Sequence, residues 1–130
     1  MPLETALIWF GALTFVVIAV EIFYTYGTQG FGFGFSSNRP MVEKTPLGVR
    51  IERTYRNQVE ASAYVVPILA GASLMGVDGP GVQLAALLVV IGRAAFCVLY
   101  YTGIPFLRII GFGTVSLSLL YILYTIATGA

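Results

Sequence analysis

Four long apolar runs limit what this chain can fold into more than any other feature. They occupy about residues 7–26, 50–76, 82–101 and 107–127. Each is long enough to cross a hydrocarbon core of about 30 Å as a helix. Charged residues make up only 10% of the sequence, against roughly 25% in soluble domains. The pattern predicts an all-α membrane protein, with residues 1–130 forming a single four-transmembrane-helix bundle. The residues before the first run include Glu4 and no Lys or Arg. That run therefore reads as a span rather than a cleavable signal peptide. Histidine is absent, which excludes a histidine-ligated metal and a histidine base. The single cysteine, Cys97, excludes an internal disulfide and a cysteine-cluster metal site. It reads as a small buried apolar residue. No metal site and no nucleic-acid partner is expected.

The second run opens on a polar stretch, Arg50 to Tyr64, R-I-E-R-T-Y-R-N-Q-V-E-A-S-A-Y. Taking Arg53 as zero on a helical wheel, Asn57 falls at about +40°, Glu60 at about −20°, Arg56 at about −60°, Tyr64 at about +20° and Arg50 at about +60°. One face thus carries guanidiniums, an amide, a carboxylate and a phenol, with Glu52 outside the fan. A solvated helix end with i,i+4 pairs, Glu52–Arg56 and Arg56–Glu60, is one account of this. The polar face nevertheless extends about 10 Å from Arg53 to Glu60, into an apolar segment.

Other polar groups punctuate the spans. Glu21, in the first, is either a functional carboxylate or a structural partner for an Arg on a neighbouring helix. Gly27 to Gly48 reads as the one long connection. Its G-F-G-F-G-F alternation lacks the Lys-Ser/Thr ending of a phosphate loop and reads as an interfacial segment. Asn38-Arg39-Pro40 and Thr45-Pro46 read as turn signals. Pro67 is predicted to kink the second helix, and Val77 to Gly81 forms a tight turn. In the third span Arg93 shares a face with Tyr100, at about −20°, and Cys97, at about +40°. An Arg at that depth faces protein or a polar cavity, and the acids nearest in depth are Glu60 and Glu21. Arg108 opens the fourth span, and Tyr121 and Tyr124 read as interface anchors.

All seven basic residues are Arg39, Lys44, Arg50, Arg53, Arg56, Arg93 and Arg108. They belong to the first-to-second and third-to-fourth connections or to the helix ends nearest them. The positive-inside rule puts the long connection in the cytoplasm and both termini on the opposite side. The guanidiniums outnumber the acids available to them, Glu52 and Glu60 with Glu21 and Glu43. A ligand carrying carboxylates fits that excess, because Arg offers two-pronged hydrogen bonding to a carboxylate. Glu60 could receive an ammonium group of the same ligand. Four spans of 14.0 kDa do not readily enclose such a ligand, so a site between subunits is expected. Small residues (Gly71 to Ser73, Ala85 and Ala86, Gly111 and Gly113) would allow close helix contact.

R-x-x-R-N-x-x-E (Arg53, Arg56, Asn57, Glu60) at the start of the second span resembles the MAPEG family, the membrane-associated proteins in eicosanoid and glutathione metabolism. Gly92-Arg93, then Tyr100, then G-I-P-F-L-R ending in Arg108 resembles its third and fourth helices. The similarity covers all four spans. It implies a homotrimer, as in a bacterial-type inner-membrane member, with glutathione as co-substrate bound between neighbouring subunits. It implies that Arg53, Asn57, Glu60, Arg93 and Tyr100 hold the tripeptide and that Arg56 supports their polar network. Arg108 matches the Arg that stabilises the thiolate in active members, which would attack a lipophilic small-molecule substrate arriving from the lipid. Two departures stand out. Tyr24 to Phe35 lacks the basic residues that active members often carry there, and Ile109 stands where the prostaglandin-synthase branch has a Ser. These point away from eicosanoid synthesis and towards a transferase-like or peroxidase-like activity. Two other readings remain. One is a non-catalytic member that binds membrane lipid or serves as an accessory subunit of a larger membrane complex. The other is a four-span cation transporter using Glu21, which the one-sided basic residues argue against.

Overall fold

A computed structural model describes residues 1–39 and 44–129. Four helices follow one another: α1 (Leu3–Phe35), α2 (Pro46–Leu74), α3 (Pro80–Thr102) and α4 (Leu107–Thr128). Among the described residues there is no strand. Helices α1, α3 and α4 are long and apolar enough to cross a membrane. With 29 residues α2 has the length, but its first half carries the charged stretch. In hydrocarbon the backbone must satisfy its own hydrogen bonds, and helices do this within one segment.

Two boundaries differ from the expected ones. Helix α1 continues past Tyr26 to Phe35, so much of the expected connection is helical. Gly30 breaks the helical path with φ 84° and ψ 167°, a conformation open to a residue without Cβ. Beyond that break Phe31 and Phe35 pack back on Tyr26, ring on ring, at centroid distances of 5.4–5.8 Å. Gly34 lies under the Tyr26 ring, where a Cβ would overlap it. The Gly/Phe alternation therefore builds an aromatic knot at the end of α1. Part of the expected connection, residues 40–43, including Pro40 and Glu43, lies outside the described residues. Helix α2 starts at Pro46, ahead of the expected Arg50. Thr45 is its N-cap and accepts from the Gly48 N–H at 3.1 Å, with Pro46 in the first turn. The Tyr24 hydroxyl bonds the Thr45 hydroxyl and ties α1 to this cap. Pro67 sits inside α2, which runs on through it without a break in the helix.

One end of the bundle gathers the N-terminus, the α2–α3 turn and the end of α4. The Met1 ammonium donates to the Gln83 carbonyl at 3.1 Å, and the Ser73 hydroxyl to the Glu4 carboxylate at 2.8 Å. Gln83 donates to Asp78, and that bond, followed by one from the Gly79 N–H, holds the Asp78 carboxyl below its usual range. The Tyr121 hydroxyl abuts Gly81. At the other end the Arg50 side chain donates to the Tyr101 carbonyl at 3.1 Å, joining the start of α2 to the end of α3.

A polar layer divides the core. Phe10, Ala61, Val65, Val89 and Val115 belong to a large apolar cluster towards the terminal end. Val17, Phe96 and Cys97 form a smaller one. Between them in α1, α2 and α3 come Thr14, Gln58 and Arg93, one from each. Helices α3 and α4 meet at Gly92 and Gly111, where a Cβ on either would approach the other's carbonyl oxygen to 3.0 or 2.8 Å. We expect Gly111→Ala to destabilise the fold by about 1–3 kcal/mol through overpacking against backbone. Gly113, with nothing within 4 Å of its Cβ position, should accept Ala with unchanged or higher stability, by up to about 1 kcal/mol. Unfolding in mixed micelles compares the two directly.

Candidate functional site

The buried stripe of α2 is Ile51, Thr54, Gln58, Ala61, Val65, Leu69 and Ala72. Everything else on that helix follows from it. Arg53 and Glu60 fall on the outward side and are exposed. Among the described residues neither has an ion-pair or side-chain hydrogen-bond partner. Tyr64 is exposed beside them. Arg56 chooses between its two possible acids: Nη2 meets Glu52 Oε1 at 3.0 Å, and no Arg56–Glu60 pair forms. Lys44 pairs with the other oxygen of Glu52. Arg56 thus lies at the edge of the outward face and is tied to the flank beside it.

Arg93 is on the inner side. It is fully buried, at 0% exposure, the largest such side chain among the described residues. Its Nε and Nη2 donate to Gln58 Oε1 at 3.0 and 2.8 Å, and Nη2 also donates to Asn57 Oδ1 at 2.8 Å. The guanidinium carbon stands 4.6 Å from the Phe96 ring centroid. Cys97 Sγ approaches Gln58 Oε1 at 3.8 Å. Gln58 Nε2 donates to the Thr14 hydroxyl at 2.9 Å, which donates in turn to the Phe10 carbonyl at 2.9 Å. Nη1 of Arg93 is buried without a partner among the described residues.

The chemistry of the groups sets the polarity of this chain. A guanidinium only donates, so Asn57 and Gln58 must both turn oxygens towards it. The NH₂ of Gln58 is then left for Thr14, and the NH₂ of Asn57 points away from Arg93. Asn57 is half-buried, so its amide donors are the part that can meet a ligand on the outward face. The resemblance implies that Arg93 helps to hold a ligand; its side chain lies behind Asn57 rather than on the outward face. A side chain with no accessible surface reaches a ligand only through a neighbour, and Asn57 is that neighbour. Neither expected acid supplies a counter-charge: Glu60 faces outward, and among the described residues the Glu21 carboxylate accepts only from Thr25, at 3.1 Å.

Tyr100 and Arg108 form a third group. The Arg108 guanidinium lies 4.4 Å from the Tyr100 ring centroid, a cation–π arrangement. Tyr100 in turn packs edge-on against Phe96 at 5.6 Å, the ring that Arg93 also covers. Phe106, at φ 72° and ψ −39°, makes a tight turn closed by the Leu107 N–H and the Pro105 carbonyl at 2.9 Å. That turn starts α4 abruptly and puts Arg108 in its first turn, half-buried against α3. Among the described residues no group of His, Cys, Asp and Glu could hold a metal ion.

The structure thus holds an outward helix face whose charges of both signs are unpaired among the described residues, an amide held by a buried Arg, and a second Arg on a Tyr ring. Comparison with known families matches residues 5–128 to the MAPEG family. The chain belongs to the MAPEG family. It is therefore a membrane-bound protein of the glutathione and eicosanoid metabolism family. No curated protein and no solved structure matches it. Within this MAPEG protein, the sequence reading singled out Asn57, Tyr100 and Arg108 but did not single out Gln58 or Thr14, which join Arg93 to α1. The signal was present: Gln58 is the one amide in an otherwise small or apolar stripe spaced by three and four. A buried amide at the depth of an intramembrane Arg is its natural partner.

Removing Gln58 leaves Arg93 a single acceptor. We expect Gln58→Leu to cost about 3–5 kcal/mol of stability, the range for a buried charge deprived of its partner. The double variant Gln58→Leu/Arg93→Met should recover most of that loss in the same unfolding assay.

Proposed function

We propose that this MAPEG protein is a glutathione-dependent membrane enzyme, acting on a lipophilic electrophile or peroxide. The observation that carries this is the outward face of α2. Arg53 and Glu60 stand about 10 Å apart along the helix, both exposed and both without partners among the described residues. Glutathione carries two carboxylates and an ammonium, the complement of Arg53, the Asn57 amide and Glu60. A face this polar on a membrane helix needs cover. A neighbouring copy of the chain, in a homotrimer, would provide it and close the ligand in. Arg93 supports Asn57 from behind, and Arg56 braces the margin through Glu52.

Arg108 takes the chemical role. A guanidinium near a thiol favours the ionised, nucleophilic form. Its place on the Tyr100 ring holds it at the cytoplasmic end, where water-borne glutathione and a substrate in the lipid can both arrive. The side chain after it, Ile109, is exposed and apolar, which fits a lipid-borne second substrate. The basic ends of α2, α3 and α4 lie together, and on the positive-inside rule they face the cytoplasm with both termini opposite.

Calorimetry with glutathione on the detergent-solubilised protein tests the reading. Arg53→Ala should raise the dissociation constant at least about tenfold, as expected for loss of a charge-assisted hydrogen bond. Arg108→Ala should still bind glutathione but raise the pKa of the bound thiol. Absence of binding at millimolar glutathione would overturn the proposal.

A further inference from the structure

A cleft of about 660 Å³ opens between α1 and the first half of α2. It lies on the opposite flank of α2 from the Arg53–Glu60 face. Ile51, Glu52 and Tyr55, which line it, sit at about 160–260° from Arg53 on the wheel. Arg56 alone borders both. The Thr14–Gln58 bond and the Tyr24–Thr45 bond fix the antiparallel register of the two helices. That register puts Glu21 level with Ile51 and Glu52, about 10 Å nearer the basic end than the buried polar layer.

The charges in this cleft are not equally engaged. Glu52 receives both Lys44 and Arg56. Arg39 donates to the Gly34 carbonyl and lies 5.5 Å from the Phe33 ring centroid. Glu21 is half-buried, and its one side-chain partner among the described residues is the Thr25 hydroxyl. Among the described residues every cation lining the cleft already has an acceptor or a ring, whereas Glu21 has no cation. Tyr24 and Tyr55 also line the cleft, and aromatic rings attract ammonium groups. One carboxylate with hydroxyls is too few oxygen ligands for a hard metal ion. Ile22 and Phe23, next to Glu21, are exposed, so an apolar tail leaving the cleft there would enter the lipid.

The geometry points to a binding site for an amphipathic amine, whose ammonium group pairs with Glu21 and whose hydrocarbon tail runs along α1 into the bilayer. The site binds without chemistry, and it is separate from the outward face of α2. It gives the intramembrane carboxylate the counter-ion that the fold withholds.

The test is calorimetric titration of the full-length protein in dodecyl maltoside micelles with decylamine, with empty micelles subtracted. Saturable binding is expected, unaffected by an excess of decanol. Glu21→Gln, an isosteric change, should weaken it about tenfold or more, and Thr25→Val several-fold. Adding phosphatidylethanolamine separates two sources of the amine. Competition assigns the site to a bilayer headgroup, and lack of it to a free amine. Decanol competing as well as decylamine, or Glu21→Gln binding as the wild type does, would overturn the proposal. The decanol comparison uses the wild-type protein and so holds even if a variant fails to fold. No thiol enters the experiment, so its outcome is independent of the glutathione reading.

Discussion

The buried contact of Arg93 with Gln58 and Asn57 is the interaction on which the rest of the structure depends. Dehydrating a guanidinium costs several kcal/mol even after relaxation, and in hydrocarbon no water is present to offset it. Here the compensation comes from oriented amide oxygens and the Phe96 ring rather than a carboxylate. Because Arg93 can only donate, each amide is forced into one orientation, and the chain of donors runs on through Gln58 and Thr14 to the backbone of α1. Three helices are thereby held in one register. A slip along α2 would leave a buried charge unpaired, which is a stronger constraint than the apolar contacts on either side of it.

That constraint also sorts the two flanks of α2. With Gln58 pointing inward, Arg53 and Glu60 must point outward, and Glu52 must point towards the end of α1. The outward flank keeps its charges uncompensated among the described residues, as a surface to be covered by another copy and a ligand would. The α1 flank compensates its cations and leaves one acid, Glu21. The polar half of α2 is therefore two surfaces with different electrostatics, which meet at Arg56. Arg108 stands apart from both, carried by α4 onto a ring of α3, where the tight turn at Phe106 sets it.

Much of this was legible in the residues. The four helices follow from apolar length, and Arg53, Arg56, Asn57 and Glu60 were recognised as one polar stretch with Tyr100 and Arg108 beside it. What the wheel could not resolve was which side of the stretch faces the bundle. It sets angles between side chains on one helix but no absolute direction; Arg93 was grouped with Arg53, Asn57 and Glu60 by the family resemblance, not by the wheel. Gln58, an amide within the small and apolar stripe, held the answer. Thr45-Pro46 was read as a turn because both residues favour turns, yet the same pair is an N-cap followed by a first-turn proline. The length of α1 was underestimated because Gly27 to Gly48 was read as one long connection. Only Gly30 interrupts the path, and the Phe rings after it pack back onto Tyr26.

The central claim is that Arg93 works from behind the proposed ligand-facing flank of α2 that carries Arg53, while Arg108 reaches the same ligand from its separate place on the Tyr100 ring. Arginine footprinting with phenylglyoxal, read residue by residue by peptide mass spectrometry with and without glutathione, tests it most directly. The account predicts that Arg93 stays unmodified in both states, while Arg53 and Arg108 react in the empty protein and are protected by glutathione. Modification of Arg93 in the empty protein, with protection on adding glutathione, would contradict it.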